Sequence, residues 1–374
     1  MKKFLPLAVL FAASCGDSTS PARQPAVGRA LVLNSTGARG VTILADTGSA
    51  TTRIAFEEPF DGAAFTVRGD SVLSASSKSG GDLLFVAVVR TSTVISFPDT
   101  RSGTATSFQL PARSNPSGAI FLPAGAPGAN GARFAVALRD SNAVGLVNPG
   151  AAAAQRVALV RNAGHCPYDL VYARSALYIA DANQNCRTDY SVVGPVRLIR
   201  APLDSVRRDT ISLGDGVVGA PRVHLIGDIA YVATSGDYFS TSASLVRVDL
   251  RTRMVTHRYR FPADTYASTF RIGADGVLYV TATTGFDPYA PRVYAFEAST
   301  LAPRASGRTG QIFLDLRLPG GELATCDAAT ADAEGDIYCL TSGLVSRVRV
   351  FDRSTRALRR DVPAGSFGAD IVVR

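Results

Sequence analysis

Three loops of this 374-residue chain combine an aspartate with a nearby tyrosine, and their chemistry suggests a ligand. They are residues 181–190 (DANQNCRTDY), 235–239 (SGDYF) and 284–289 (TGFDPY). Carboxylates and amides can bind a cation or the hydroxyl groups of a sugar, and a tyrosine ring can stack on another ring. The alternative interpretation is turn chemistry, because Asp, Asn and Gly start turns and cap backbone groups. The sequence leaves both interpretations open.

The candidate ligand-binding residues lie in these loops and in the segment before the first of them. They are His165, Tyr168, Asp181, Asn183, Asn185, Asp189, Asp237, Tyr238, Asp287 and Tyr289. A histidine has an ordinary pKa of about 6.5, so His165 is either a general base or a simple hydrogen-bonding residue held by the adjacent Cys166. No nucleophile, base and orienting group come together anywhere in the sequence, so we assign no catalytic residue.

Residues 332–336 (DAEGD) have some likeness to a calcium loop, but the full twelve-residue pattern with its terminal glutamate is missing. The segment therefore predicts a hairpin turn. The sequence predicts no metal ligand and no cofactor, and a divalent cation enters only if the protein is a hydrolase.

Five cysteines are present, and four of them follow Cys15. We predict the disulfides Cys166–Cys186 and Cys326–Cys339, because each pair brackets two strands that should be antiparallel neighbours. Zinc is the competing interpretation. It is less favoured because there is no Cys-x-x-Cys motif and the chain has three histidines.

The first residues have the pattern of an export signal. Lys2 and Lys3 precede a short apolar run, and Ala12-Ala13-Ser14-Cys15 follows it. This motif resembles the lipobox of bacterial lipoproteins. The resemblance implies a signal peptide at 1–14, a lipid on Cys15 and membrane attachment through it. Residues 15–28 then form a flexible tether. Gly16 rather than Asp follows the cysteine, which favours the outer membrane, facing the periplasm or the surface.

Composition points to many short strands. Hydrophobic residues make up 46%, charged residues 19%, and the chain has 34 Gly, 20 Pro and no Trp. The formal net charge is +8, yet the arginines are scattered over predicted turns and strand ends. Without a clustered basic stripe we expect no nucleic-acid partner. We expect a monomer.

A repeat of about fifty residues runs through the chain. Alternating strands begin at Val41, Val94, Val144, Val196, Leu245, Val293 and Val348. A short apolar strand, which we expect to be the second strand of its unit, precedes each one, at 30–33, 83–89, 134–138, 177–180, 230–233, 278–281 and 337–340. Four-stranded units repeated in this way predict an all-β fold, a seven-bladed β-propeller of four-stranded antiparallel blades. Residues 29–374 form this one domain, and 369–373 pair with 30–33 to close the ring.

Parts of the third and fourth repeats resemble the YVTN-repeat, YncE-like propellers. The matching residues are 134–137 (FAVA), 141–144 (SNAV) and 164–171 (GHCPYDLV). The resemblance implies the propeller fold, and its members include binding scaffolds, lactonases and dehydrogenase subunits. The absence of Trp argues against WD-repeat, sialidase and quinone-dependent propellers.

Two functions follow from the sequence. The first is a cell-envelope lipoprotein whose propeller is a non-catalytic binding or scaffold module for a protein, glycan or small ligand on its loop-rich face. The alternative is a lactonase-like hydrolase with its site on that face. The first is favoured because no catalytic constellation can be assembled from the sequence.

Overall fold

The computed structural model describes residues 30–34, 40–44, 51–55, 61–68, 71–77, 83–88, 105–304 and 311–373. The predicted signal peptide, Cys15 and the tether lie outside these residues. Within them the fold is all-β, with helix only in two single turns, Arg139–Ser141 and Ala153–Gln155. No helix in the described part of the chain has the length and apolar character needed to cross a membrane.

The strands are short and follow one another closely. They are β1 (Ala30–Asn34), β2 (Gly40–Leu44), β3 (Thr51–Ala55), β4 (Asp61–Arg68), β5 (Ser71–Ser77), β6 (Leu83–Val88), β7 (Ala105–Gln109), β8 (Pro116–Phe121), β9 (Phe134–Leu138), β10 (Ala143–Val147), β11 (Val157–Arg161), β12 (Pro167–Ala173), β13 (Ala176–Asp181), β14 (Arg197–Pro202), β15 (Asp209–Ser212), β16 (Pro221–Ile226), β17 (Ile229–Thr234), β18 (Ser244–Asp249), β19 (Met254–Arg260), β20 (Thr265–Ile272), β21 (Leu278–Thr284), β22 (Arg292–Phe296), β23 (Ala328–Ala331), β24 (Ile337–Thr341), β25 (Arg347–Phe351), β26 (Leu358–Pro363) and β27 (Gly368–Val373).

These strands form antiparallel sheets of a propeller-like kind. Among the described residues there are six sheets of four strands, β4–β7, β8–β11, β12–β15, β16–β19, β23–β26 and β27-β1-β2-β3, and one of three, β20–β22. In the three-stranded sheet, Pro303 pairs with Phe296 just before residues 305–310, which lie outside the described part. The sheets therefore agree with the predicted four-stranded unit wherever the whole unit is described.

Burial within a sheet follows the position of the strand. All five residues of β9 and all six of β13 are buried, because a second strand is paired on both sides and packed on both faces. The outer strand β19 is largely exposed. The five predicted apolar strands from 134 onwards are all second strands, as expected.

One predicted strand occupies a different position. Leu83–Val88 is apolar and was expected to be a second strand, but it is the third strand of its sheet, β6. The serine-rich β5 takes the second place. Apolar content alone therefore gave the wrong position here, and the predicted third strand starting at Val94 lies outside the described residues.

The two ends of the chain meet in one sheet. β27 pairs antiparallel with β1, with Ala30 opposite Val373 and Leu33 opposite Asp370. The Arg271 guanidinium on β20 binds the Asp370 carboxylate, with Nε 3.1 Å from Oδ1. The first strand of each sheet contacts the first strand of the next, and β27 contacts both β23 and β4.

Both predicted disulfides are present. Cys166–Cys186 has a Cα–Cα distance of 5.7 Å and Cys326–Cys339 one of 5.3 Å. The first joins the residue before β12 to the loop after β13. The second joins the segment before β23 to β24. Each crosslink therefore ties a first strand to its antiparallel neighbour.

Replacing Ile371 with alanine tests the contribution of β27. Ile371 is completely buried in a cluster with Val32, Leu340 and Val348. Ile371→Ala should lower the free energy of unfolding by about 2–5 kcal/mol, because it leaves a cavity at the junction of the chain ends. Urea unfolding gives the measurement. The matched control is Val345→Ala, which removes an exposed apolar side chain. If the two variants had the same free energy of unfolding, β27 would not contribute to stability as proposed here.

Candidate functional site

The antiparallel order places two sets of loops at one end of the sheets. Pro167 at the start of β12 is opposite Asp181 at the end of β13, and Pro221 at the start of β16 is opposite Thr234 at the end of β17. The loops that enter first strands therefore lie beside those that leave second strands. We call this edge the loop-rich end. Every residue predicted for ligand binding is at or near it.

Asp181 organises the loop around the first disulfide. Its carboxylate is fully buried, accepts from the Cys166 backbone N–H at 2.8 Å and forms an ion pair with Arg197, whose Nε is 2.8 Å away. Gly164 has φ of 125°, and a Cβ there would overlap the Asp181 carboxyl. A buried charge needs such partners, so this aspartate holds two loops together rather than facing a ligand.

The other polar residues of this loop also bond within it. Asn183 donates from Nδ2 to the Pro195 carbonyl at 3.2 Å, and Asn185 donates to the Ser191 hydroxyl at 2.8 Å. Asp189 accepts from the Ser191 N–H at 3.0 Å, and this hydrogen bond lowers the pKa of its carboxyl. The buried Oδ1 of Asn183 has no hydrogen-bond partner among the described residues. These contacts agree with turn chemistry.

Asp237 shapes the loop after β17. Its carboxylate accepts from the backbone N–H groups of Phe239, Ser240 and Thr241 at 2.8–2.9 Å. Burial would raise the pKa of Asp237, but these hydrogen bonds outweigh burial and lower it. The tight turn they create has a second effect, because it holds the next residue, Tyr238, outward at φ of 65°.

Tyr238 belongs to an aromatic cluster, which we define as Tyr238, Tyr266 and Phe286, and in which Tyr266 is buried beneath two exposed rings. The Tyr266 and Phe286 rings stack with centroids 5.3 Å apart and planes 12° apart. The Tyr238 ring lies 5.5 Å from Tyr266 and 5.9 Å from Phe286. Tyr238 is 47% exposed and Phe286 51%. Two of the three predicted loops thus converge on one aromatic surface.

Acidic residues surround the aromatic cluster. Asp264 and Asp287 are exposed, and burial followed by the charges of Asp264 and Asp237 raises the pKa of the Tyr266 hydroxyl. Tyr289, which is half exposed, donates to Asp327 at 3.3 Å. Burial and the Asp327 charge raise the pKa of Tyr289 to about 12, so it keeps its proton at neutral pH.

His165 and Tyr168 are in a different part of the same end. His165 is exposed. The Tyr168 ring packs against the Cys166–Cys186 disulfide, and two guanidinium groups lie over it. The Arg139 Cζ is 4.9 Å from the ring centroid and the Arg222 Cζ 5.1 Å. The structure therefore brings the predicted residues together as two separate groups, not as one pocket.

A set of charged residues on the first strands was not predicted as functional. This inner-strand cluster consists of Asp169 on β12, Arg222 and His224 on β16, Arg271 on β20 and Asp370 on β27. Asp169 accepts from the Val223 N–H of the neighbouring sheet at 2.9 Å. A Cβ at Gly118 would meet Asp169 at 2.6 Å, so glycine permits this close approach of β8 and β12.

Burial controls the protonation of this cluster. Burial raises the pKa of Asp169, and the Arg222 charge opposes the rise. Burial and then the Arg271 charge lower the pKa of His224 to about 3, so its ring is neutral at pH 7. His224 Nε2 lies 3.0 Å from the Phe270 carbonyl and must therefore be the protonated nitrogen. A histidine this resistant to protonation is a weak general base.

The sequence contained a signal for this cluster. Charged residues interrupt otherwise apolar first strands at 168–172 (YDLVY), 222–226 (RVHLI) and 369–373 (ADIVV). His224 fits the strand pattern of its segment, so the sequence gives no reason to select it as functional. The pattern does not reveal that these strands face one another across neighbouring sheets.

Within the described residues, no three His, Cys, Asp or Glu side chains are grouped so that they could hold a metal ion. The inner-strand cluster contains instead two carboxylates, Asp169 and Asp370, two guanidinium groups, Arg222 and Arg271, and the neutral ring of His224. They can bind or orient a polar ligand, and their contacts with one another stabilise the packing of first strands.

Comparison with known proteins identifies the fold alone. No family model matches the chain, and no curated protein matches it. Among solved structures, a protein from Lactobacillus plantarum is 14% identical with a TM-score of 0.58, over 93% of this chain and 100% of that one. A putative 6-phosphogluconolactonase from Bacteroides fragilis is 12% identical with a TM-score of 0.55, over 95% and 99%. Hydrazine synthase from Kuenenia stuttgartiensis is 14% identical with a TM-score of 0.55, over 83% and 88%. The chain is similar to propeller-like proteins.

Proposed function

We propose that this chain is an exported, lipid-anchored lipoprotein of the YVTN-repeat, YncE-like kind and that its propeller is a non-catalytic binding module. In this proposal the seven sheets are blades of one closed ring. The contacts of β27 with both β23 and β4, together with the β27–β1 pairing, support closure. Closure would also leave fewer unpaired strand edges than an open array of sheets.

The aromatic cluster is the observation that carries the binding role. A folded chain normally buries large aromatic rings, yet Tyr238 and Phe286 are half exposed and Phe239 beside them is 88% exposed. The exposed rings of Tyr238 and Phe286 are held in place by packing on the buried Tyr266 and by the Asp237 turn. A rigid, exposed aromatic surface is typical of a binding site.

A saccharide fits this surface best. One face of a sugar ring is apolar and packs on aromatic rings, while its hydroxyl groups donate to carboxylates. The exposed carboxylates of Asp264 and Asp287 and the hydroxyl of Tyr289 lie on the same loops as the rings. The ligand class we propose is therefore a glycan of the bacterial envelope.

The lactonase-like hydrolase remains a second candidate because of the inner-strand cluster. Asp169 has a raised pKa, as expected of a general acid, and Arg222 lies near it. Against catalysis, His224 is a weak base and donates to a carbonyl. The cluster also contains no serine, cysteine or threonine that could serve as a nucleophile. A non-catalytic role accounts for more of the geometry.

Substituting Phe286 tests the glycan proposal. The soluble chain from residue 16 onwards is screened against peptidoglycan fragments and bacterial surface polysaccharides, and the affinity of the best saccharide is measured by calorimetry. Phe286→Ala should weaken it at least tenfold, which corresponds to about 1.4 kcal/mol of lost stacking.

The matched control is Val206→Ala. Val206 is 95% exposed in the turn after β14, at the opposite end of the sheets, so this variant loses apolar surface without touching the cluster. Its affinity should equal that of the original chain. The proposal would be contradicted if the original chain bound no saccharide in the screen. It would also be contradicted if Phe286→Ala bound the best saccharide as tightly as the original chain.

A lactone screen separates the two candidate functions. We expect hydrolysis of γ- and δ-lactones, with or without chelator, to be no faster in the original chain than in Asp169→Asn. Asn keeps the size of the side chain but cannot transfer a proton. Turnover that disappears in Asp169→Asn would replace the binding role with the hydrolase.

The cellular location is tested at Cys15. Cys15→Ser should abolish incorporation of labelled palmitate and move the protein from the membrane fraction to the soluble fraction, because several acyl chains are needed for stable anchoring. Cys15→Ser protein that keeps both the label and the membrane location would refute lipid attachment there.

A further inference from the structure

We propose that Arg139, Tyr168 and Arg222 form a binding site for a small anion that carries a carboxylate or phosphate group. The site is at the loop-rich end but is separate from the aromatic cluster. It involves three sheets, since Arg139 follows β9, Tyr168 is in β12 and Arg222 is in β16. The proposal does not depend on saccharide binding.

The two guanidinium groups share one aromatic ring. Their Cζ atoms are 4.9 Å and 5.1 Å from the Tyr168 centroid, which places them at most about 10 Å apart. Each is attracted to the negative face of the ring. That attraction holds two like charges close together and fixes the planes of the guanidinium groups. Fixed, planar donors are suited to the oxygen atoms of a carboxylate or phosphate.

Among the described residues, neither guanidinium forms an ion pair with a carboxylate. Other half-buried arginines do form ion pairs, for example Arg197 with Asp181 and Arg271 with Asp370. In the described part of the chain, Arg139 donates to the amide oxygen of Asn115 at 2.7 Å, and its Nε has no acceptor. Among the same residues, Arg222 donates only to the Ser117 carbonyl, at 3.4 Å. The Arg139 Nε is buried, so a ligand would bind through the remaining N–H groups of the two guanidinium groups.

Two acidic residues, Asp169 and Asp140, lie near the arginine pair. Asp169 attracts Arg222, but no ion pair joins them, and both of its carboxylate oxygens accept backbone N–H groups, from Leu170 and Val223 at 2.9 Å. The Asp140 carboxylate is also near, because its Oδ1 lies 3.5 Å from Nδ2 of Asn115, the residue that accepts from Arg139. Among the described residues neither carboxylate forms an ion pair with Arg139 or Arg222, so a bound anion can pair with the two guanidinium groups.

The ring itself is rigidly supported. The Tyr168 carbonyl accepts from the Ser117 hydroxyl at 2.6 Å, and the side chain packs on the disulfide Cys166–Cys186. A preformed site loses little entropy when its ligand binds. The disulfide thus has a second consequence beyond stability, because it fixes the surface on which both arginines lie.

Calorimetric titration with inorganic phosphate and with succinate tests the site, at matched ionic strength and pH 7. The original chain should bind at least one of them with one-to-one stoichiometry, and comparison of the two shows whether phosphate or carboxylate is preferred. Arg222→Gln and Arg139→Gln should each weaken binding at least tenfold, since each removes one charge of the pair. Tyr168→Phe should bind like the original chain because it keeps the ring, whereas Tyr168→Leu should lose affinity.

Arg251→Gln provides the matched control. Arg251 is exposed in the turn after β18, away from the loop-rich end. Its replacement by glutamine removes the same charge from the protein. Thermal unfolding confirms that each variant is folded. Absence of binding by the original chain, or equal loss in Arg251→Gln and Arg222→Gln, would overturn the site and leave only a general effect of net charge.

Discussion

The packing of one first strand against the next is the constraint on which the rest of the structure depends. These strands approach so closely that Asp169 of β12 accepts from the Val223 N–H of the next sheet and leaves no room for a side chain at Gly118. Contact at this range is favourable only when buried charges are paired or hydrogen bonded. In the inner-strand cluster, Asp370 pairs with Arg271, and both carboxylate oxygens of Asp169 accept backbone N–H groups. β27 makes the same kind of contact with the first strands β23 and β4. Its pairing with β1 joins the two chain ends in one sheet.

Much of this fold could be predicted from local sequence because each unit repeats one pattern. Apolar runs such as 134–138 and 230–233 identified second strands, since only a strand covered on both faces is apolar at every position. The same rule misplaced 83–88, where the serine-rich β5 takes the second position. The disulfides were predictable for a related reason. Chain reversal between adjacent strands brings Cys326 near Cys339 whatever the details of packing.

The candidate site was less predictable because function there depends on contacts between distant segments. An aspartate in a loop has the same sequence appearance whether it binds a ligand or its own backbone. The Asp237 carboxylate accepts from three backbone N–H groups of its own loop. The turn that results holds Tyr238 in an exposed position. Phe286 was in a predicted loop but was not selected, since a phenylalanine offers no polar chemistry. Arg139 and Arg222 are 83 residues apart and meet only through Tyr168.

The two proposed sites have opposite electrostatic character although they are neighbours. Pro221, beside Arg222, is opposite Thr234, and the chain reaches Asp237 and Tyr238 three residues later. The arginine pair is positive, whereas the aromatic cluster has Asp237, Asp264 and Asp287 around it. An electric field directed from one site to the other would orient a polar ligand before contact. A saccharide that carries an acidic group would place its anion towards Arg222 and its uncharged ring on Phe286. The reverse orientation would put the anion among carboxylates, where charge repulsion disfavours it.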